Sequence, residues 1–137
     1  MIEYRLLTEI PGDMLGRIAG FYISANWISA EDDAAFLQTA LPGSFLVAGA
    51  FTDNQIVGVA RVLSDGCSDA YIQDVVVDPE YRGRGIGAGL IALLTGELRK
   101  RGVDWIALVG EPGTEGFYRK LSWQEQPGYV LWKAPEM

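Results

Sequence analysis

Residues 74–90, DVVVDPEYRGRGIGAGL, decide how this chain of 137 residues folds. They predict a β-branched strand that ends at Asp78-Pro79, a loop rich in glycine and arginine, and the first turn of a helix. Glycines at alternate positions leave the loop's N–H groups open to close approach, because no Cβ shields them. Amides at a helix N-terminus favour an anion, and Arg82 and Arg84 add positive charge. The loop therefore predicts a diphosphate site.

Three other roles are known for a glycine-rich turn between a strand and a helix. A turn that serves only tight strand–helix packing would not need the two arginines. The P-loop pattern Gly-x-x-x-x-Gly-Lys-Ser/Thr is absent from the sequence. A dinucleotide fingerprint is met by Gly83, Gly85 and Ala88, with Asp104 about twenty residues further on. Asp104, however, begins the next predicted strand, whereas the ribose-binding acid of that motif ends it.

Two helices and a strand are predicted before the central sheet. Residues 2–7 alternate loosely, as in a strand, and Pro11-Gly12-Asp13 opens a helix. That helix carries one apolar face, made of Met14, Ile18, Phe21 and Tyr22. A second helix is predicted after Ser29, with a capping box to Asp32, and Pro42-Gly43 ends it. Its apolar side consists of Phe36, Leu37 and Leu41.

The rest of the pattern gives the fold class. Residues 45–51, 56–63 and 70–77 are strand-like runs with hairpin-length connections, which favour antiparallel pairing. A helix from Ile86 connects the strand over residues 70–77 to a strand over residues 103–109. Such a crossover helix makes these two strands parallel. A short helix over 114–121 and a hairpin of 123–126 with 129–133, across Pro127-Gly128, close the chain. We predict one α/β domain over residues 1–137, a mixed, mostly antiparallel sheet with one parallel strand pair, flanked by helices.

The composition excludes several classes of function. The chain is 49% hydrophobic and carries 11 basic and 18 acidic residues, a net charge of −7 that argues against a nucleic-acid partner. It has no histidine and a single cysteine, Cys67. Ser-His-Asp and Cys-His catalysis, histidine-ligated metals and internal disulfides are therefore ruled out, and no metal is expected. No segment looks like a signal peptide or a membrane span, so we expect a cytoplasmic protein without a membrane partner.

The loop resembles the signature of the GCN5-related N-acetyltransferases, the GNAT superfamily. Arg82-x-x-Gly85-x-Gly87 is similar to their Gln/Arg-x-x-Gly-x-Gly/Ala motif, and the order of predicted elements resembles theirs over nearly the whole chain. The resemblance implies the acyl-CoA N-acyltransferase fold and acetyl-CoA as cosubstrate, with its arm in a splay between the two parallel strands. The cofactor-binding residues that it implies are Val75, Val76, Val77, Arg82, Gly83, Arg84, Gly85, Ile86, Gly87 and Ala88.

A second stretch, FYRKLSW over residues 117–123, resembles the family's Phe-Tyr-x-Lys-x-Gly-Phe. By that resemblance, Tyr118 is the acid that protonates the departing thiolate, with a helix aromatic packed on the core as the alternative. The Gly-Phe pair is replaced by Ser122-Trp123, and the asparagine often found shortly upstream is missing.

An alkyl amine is protonated at neutral pH, with a pKa of about 10, so a base must remove its proton before it attacks a thioester. Without histidine, a carboxylate acting directly or through water remains. Asp74 is our first candidate, although it could instead pair with an arginine, and Glu111 is the second. Tyr22 and Trp27 are candidates for binding the acceptor, beside the acidic residues Glu31, Asp32 and Asp33.

The sequence thus predicts an enzyme that transfers the acetyl group of acetyl-CoA to a primary amine of a small molecule by direct attack in a ternary complex. Two alternatives stay open: a non-catalytic acyl-CoA-binding sensor or interaction module, and an acetyltransferase acting on peptide or protein amines. Members of the family often dimerise, so the resemblance also leaves a homodimer open.

Overall fold

A five-stranded sheet forms the centre of the protein, whose computed structural model describes residues 1–126. The strands lie in the order of the chain: β1 (Glu3–Leu6), β2 (Leu46–Thr52), β3 (Gln55–Ser64), β4 (Asp69–Val77) and β5 (Trp105–Leu108).

Three antiparallel pairs join β1 to β4, and β5 pairs with β4 in parallel. Asp53 and Asn54, both with positive φ, form the two-residue turn between β2 and β3. Such a turn matches the twist of the strands it joins. The predicted meander with one parallel strand pair is therefore confirmed. The predicted α/β fold class, a mixed and mostly antiparallel sheet flanked by helices, is confirmed as well.

Helices cover both faces of the sheet. They are α1 (Gly12–Ser24), α2 (Leu37–Ala40), α3 (Ile86–Lys100) and α4 (Glu115–Lys120). The long helix α3 crosses from β4 to β5 and buries its apolar side, including Leu90 and Leu94, on one face. On the other face, Ile18 and Phe21 of α1 pack with Leu37 at the start of α2. The sheet thus carries two separate apolar cores, one under α3 and one under α1 and α2.

The second helix begins later than the sequence predicts. The expected capping residues close only a turn, in which Asp32 accepts a hydrogen bond from the Ser29 amide at 2.7 Å. A 3₁₀ turn (Ala34–Phe36) follows, with Asp33 accepting from the Ala35 amide at 2.8 Å. The prediction was wrong here because short acidic side chains bind nearby amides in turn conformations, which compete with a helix. Phe36, predicted on the apolar side, is 45% exposed.

The end of the chain is described only in part. α4 confirms the predicted helix, with Thr114 at its N-cap position. Residues 123–126 form no strand, and residues 127–137, which include the other half of the predicted hairpin, lie outside the described residues. Trp123 packs against the α3 core, and its amide bonds to the Tyr118 carbonyl at 3.1 Å. Over residues 1–126, no helix has the length and apolar character needed to cross a membrane.

Candidate active site

A β-bulge in β4 shapes the site. Val59 of β3 pairs with Val76, and Arg61 pairs with Gln73. Between these two pairs β3 has one residue and β4 has two, so β4 carries one extra residue. Asp74 lies in the bulge with φ of 57°. A left-handed conformation costs a residue with a Cβ about 1–2 kcal/mol, so other contacts must hold it. Bulges bend a strand and re-aim its backbone, and this one lies where β4 leaves β5.

A cleft opens where the two parallel strands separate. Among residues 1–126, β4 and β5 pair from Asp69 to Ile72 on β4, and β5 ends at Leu108, opposite Ile72, while β4 continues to Val77. The gap contains a cavity of about 250 Å³ and a neighbouring one of about 230 Å³. Both share one wall, formed by Ile72, Asp74, Leu108 and Val109. Among residues 1–126, residues 75–77 of β4 have no strand partner on the β5 side, and Val75 lines the larger cavity.

Two partners hold the Asp74 carboxylate. Its Oδ2 accepts a hydrogen bond from the Tyr22 hydroxyl at 2.8 Å. The same oxygen forms an ion pair with Arg61, whose Nε lies 2.8 Å away. Burial, followed by the charge of Asp74, raises the pKa of the Tyr22 phenol, so that it stays a neutral donor. Helix α1 and strand β3 are thus both tied to the bulge.

The chain reversal after α1 places Trp27 at the mouth of the cleft. Asn26 takes φ of 62° just past the helix, a position where asparagine can replace glycine. The Trp27 amide then bonds back to the Tyr22 carbonyl at 3.1 Å. The two rings meet edge to face, with their centroids 5.2 Å apart.

The indole of Trp27 reaches a carboxylate on the far side of the cleft. Its Nε1 donates to Glu111 Oε1 at 2.8 Å. Glu111 follows β5 and is exposed, while Thr114 holds its carbonyl with both its amide, at 3.1 Å, and its hydroxyl, at 2.5 Å. This tight turn fixes the backbone from which the Glu111 side chain extends.

Tyr118 of α4 completes the wall of the larger cavity, together with Glu111 and Val75. Its ring packs edge to face on Phe117 at 4.9 Å and on Trp123 at 6.3 Å. Burial, with a smaller contribution from the Glu111 charge, raises the pKa of the Tyr118 phenol. A phenol in this position is protonated at neutral pH and able to donate its proton.

The glycine-rich loop lies between the end of β4 and the start of α3. Gly83 and Gly85 have φ of 78° and 76°, and a Cβ at either position would meet no atom within 4 Å. The backbone is therefore open to a ligand rather than packed against protein. Arg82 and Arg84 are exposed, and neither forms an ion pair with another residue of the described part of the chain. Arg84 stacks over the Tyr81 ring at 4.9 Å.

The start of this loop is tied to α1 by Arg17. Its guanidinium donates to the Ile56 carbonyl at 2.9 and 3.0 Å and pairs with Asp78 Oδ2 at 3.1 Å. The other carboxylate oxygen of Asp78 accepts from the Glu80 amide at 3.0 Å. These bonds fix the direction in which the chain leaves β4.

The structure brings the candidate side chains Trp27, Asp74 and Tyr118 together around one cleft. Tyr22, predicted to bind the acceptor, lines neither cavity: it is buried behind Trp27 and donates its hydroxyl proton to Asp74. It does not bring the acidic residues 31–33 to Trp27 as an amine site, because Asp32 and Asp33 cap local turns. Sequence reasoning missed Arg61, although an arginine within the apolar run of β3 signals a need for a buried partner. Within residues 1–126, no cluster of three acidic, cysteine or histidine side chains could hold a metal.

Comparisons with known proteins agree with this architecture. A sequence model of the family described as "Acetyltransferase (GNAT) family" matches residues 13–123. Serotonin N-acetyltransferase 2, chloroplastic, of Oryza sativa subsp. japonica is 42% identical over 74 residues, which are 54% of this chain and 37% of that protein. The chain therefore spans well under half the length of this curated relative.

Two solved structures share the fold over nearly the full chain. A GNAT-family acetyltransferase from Streptococcus pneumoniae superposes with a TM-score of 0.81 at 24% identity, covering 99% of this chain and 100% of that one. A predicted acetyltransferase with acetyl-CoA from Clostridium acetobutylicum gives a TM-score of 0.74 at 21% identity, covering 97% and 96%.

Proposed function

Because this chain belongs to the GNAT family of acetyltransferases, we propose that it transfers the acetyl group of acetyl-CoA to a primary amine of a small molecule, by direct attack in a ternary complex. The observation that carries the proposal is the continuity between two open backbone segments. The side of β4 that has no strand partner among residues 1–126, over residues 75–77, leads into the glycine-rich loop and the first turn of α3. An extended arm that ends in a diphosphate would fit such a track.

The loop and the helix start have the chemistry for the diphosphate end. The first intrahelical bond of this turn runs from Gly89 to the Gly85 carbonyl at 3.0 Å. The amides of Ile86, Gly87 and Ala88 therefore have no carbonyl partner inside the helix. With Arg82 and Arg84 beside them, these amides provide convergent donors and positive charge. The open space at Gly83 and Gly85 leaves room for the phosphate oxygens.

The cleft has the groups that acyl transfer needs. Acetyl-CoA, when bound, supplies an electrophilic thioester carbonyl. We assign the amide of Val75, next to the bulge, to polarise the carbonyl oxygen. Tyr118 is protonated at neutral pH and lines the larger cavity, and we assign it to donate its proton to the departing sulfur. Holding the amine and the thioester in one cleft contributes the rest of the acceleration.

The acceptor side favours a compact cation. Trp27 and Glu111 line the larger cavity, and an indole face beside a carboxylate suits an ammonium group. A cavity of about 250 Å³ admits a small amine. That the relative from rice is named a serotonin N-acetyltransferase is consistent with an amine acceptor carrying an apolar body.

Two measurements on the full chain test the proposal. Isothermal titration with CoA and with acetyl-CoA should show saturable binding, and a thiol-release assay should show turnover with at least one member of a panel of polyamines, arylalkylamines, amino acids, aminoglycosides and peptides. Absence of CoA binding at millimolar ligand would contradict the proposal. Binding without turnover on any acceptor would favour a sensor, and turnover on peptides alone would favour a protein acetyltransferase.

A further inference from the structure

Two carboxylates face the cleft, and the structure binds them in different ways. We infer that Glu111 accepts the proton of the acceptor amine, whereas Asp74 is a positioning residue that fixes the β4 bulge. The inference rests on the proposed function and assigns two roles that the sequence left open. From the sequence alone, Asp74 is the first candidate for the base and Glu111 is the second, and this inference reverses that order.

The contacts of Asp74 are those of a structural anchor. Its Oδ2 serves both the Arg61 guanidinium and the Tyr22 hydroxyl, at 2.8 Å each. Accepting a proton would cost this carboxylate its ion pair with Arg61. The same three side chains join β3, β4 and α1 at a residue with φ of 57°. They hold the bulge in the conformation that determines where the neighbouring Val75 amide lies.

The contacts of Glu111 leave it free to react. Only one carboxylate oxygen, Oε1, has a hydrogen-bond donor among residues 1–126, namely the Trp27 indole. The side chain is exposed, so an amine reaches it from solvent. The indole hydrogen bond fixes the carboxylate without adding a positive charge that would compete with an ammonium group. Glu111 is thus held in place and still available.

Among residues 1–126, the titratable side chains that line the cavity with Glu111 are Asp74 and Tyr118. Asp74 lies on the β4 side, already paired with Arg61, and Tyr118 projects from α4. Tyr22 stands behind Trp27 and donates to Asp74. No guanidinium or ammonium of the described chain forms an ion pair with Glu111. A cationic acceptor would supply the missing charge.

The transfer balances with these residues. Glu111 takes one proton from the ammonium group, which leaves a lone pair on nitrogen. That pair forms the new N–C bond while the C–S bond breaks and its electrons leave on sulfur. Tyr118 gives its phenolic proton to the sulfur and regains one from the amide nitrogen. Glu111 then releases its proton to solvent, so that one proton leaves per amine acetylated.

The test compares two acceptors of nearly equal shape. One is a basic alkylamine that the enzyme turns over, and the other is its analogue with three fluorines on the carbon β to nitrogen, which is neutral at pH 7 and needs no base. Glu111→Gln should lower kcat/KM roughly 10²-fold or more for the basic amine and less than tenfold for the fluorinated one, because a general base contributes at least that factor. Glu115→Gln, an exposed acid in the first turn of α4, is the matched control and should change neither.

The positioning role of Asp74 predicts a different pattern. Asp74→Asn should lower kcat by the same factor for both acceptors, while the Kd of CoA, which has no acetyl group to place, stays unchanged. Tyr22→Phe, which removes one donor and keeps the ring, should share this pattern, and the double variant should lose less than the product of the two single losses. Tyr22→Phe also keeps the test decisive should Asp74→Asn not fold.

The outcomes distinguish a failure of the residue assignment from a failure of the proposed function. An acceptor-dependent loss in Asp74→Asn, or an equal loss for both acceptors in Glu111→Gln, would overturn the assignment and leave the proposed function standing. A wild-type chain that binds CoA but acetylates no amine would overturn the proposed function and the assignment together.

Discussion

Replacing Gly85 with glutamine and with glutamate separates the two contributions expected of the glycine-rich loop. A Cβ at this position has no protein atom within 4 Å, so the added side chain does not displace a neighbouring residue of the described chain. Glutamine fills the space in front of the α3 amides, and glutamate fills it with a negative charge as well. Both should weaken CoA binding, glutamate more than glutamine.

The expected losses follow from the geometry. Displacing the diphosphate from one of the α3 amides removes a charge-assisted hydrogen bond of about 1.5–3 kcal/mol, or roughly 10- to 150-fold in Kd. A carboxylate about 6 Å from the diphosphate, at an effective dielectric constant near 40, adds about 1.4 kcal/mol or a further tenfold. Both variants also carry about 1–2 kcal/mol of backbone strain at φ of 76°, which lowers Tm by several degrees.

Titration of CoA into the wild type and both variants, at low and at high salt, provides the measurement. The difference between glutamate and glutamine should shrink at about 1 M salt, where the Debye length is about 3 Å. Gly96→Glu, an exposed helical position in α3 with no atom within 4 Å and no positive φ, is the control for added charge and should bind CoA like the wild type. If both Gly85 variants keep wild-type affinity, the α3 amides do not bind the diphosphate.

Three further predictions concern catalysis and stability. Tyr118→Phe should lower turnover about 10²-fold with an unchanged Kd for CoA, because the phenol acts only when sulfur departs; equal turnover across the pH range would exclude that role. The raised pKa values of Tyr22 and Tyr118 mean that these phenols ionise first in the unfolded chain. Their contribution to the free energy of unfolding should therefore be constant below pH 10.0 and fall above it, and the fall above pH 10.0 should be smaller in Tyr22→Phe. In thermal unfolding, Gly96→Ala should stabilise α3 by about 0.5–1 kcal/mol, whereas Gly89→Ala should destabilise it because a Cβ there overlaps the Tyr4 ring.

Most elements of the fold follow from local patterns. The alternation in β2 to β4, the change to helical spacing at Ile86 and the glycine-rich turn between them all depend on residues close together in the chain. The start of α2 was predicted too early because of acidic side chains that could bind amides in either a turn or a helix. Local signals cannot decide between two such conformations, because the choice depends on what packs against the segment.

For the site, the chain by itself predicted the loop and both candidate carboxylates, because residue type and spacing determine which chemistry each can perform, and the resemblance to a family motif predicted the phenol of Tyr118. Only the tertiary structure decided their partners. Arg61 lies 13 residues from Asp74 and Trp27 lies 84 residues from Glu111, and each pair meets only once strand register, the β4 bulge and the end of α1 are in place. A carboxylate's role depends on the charges and donors within a few ångströms of it, and those distances do not exist until the sheet has formed.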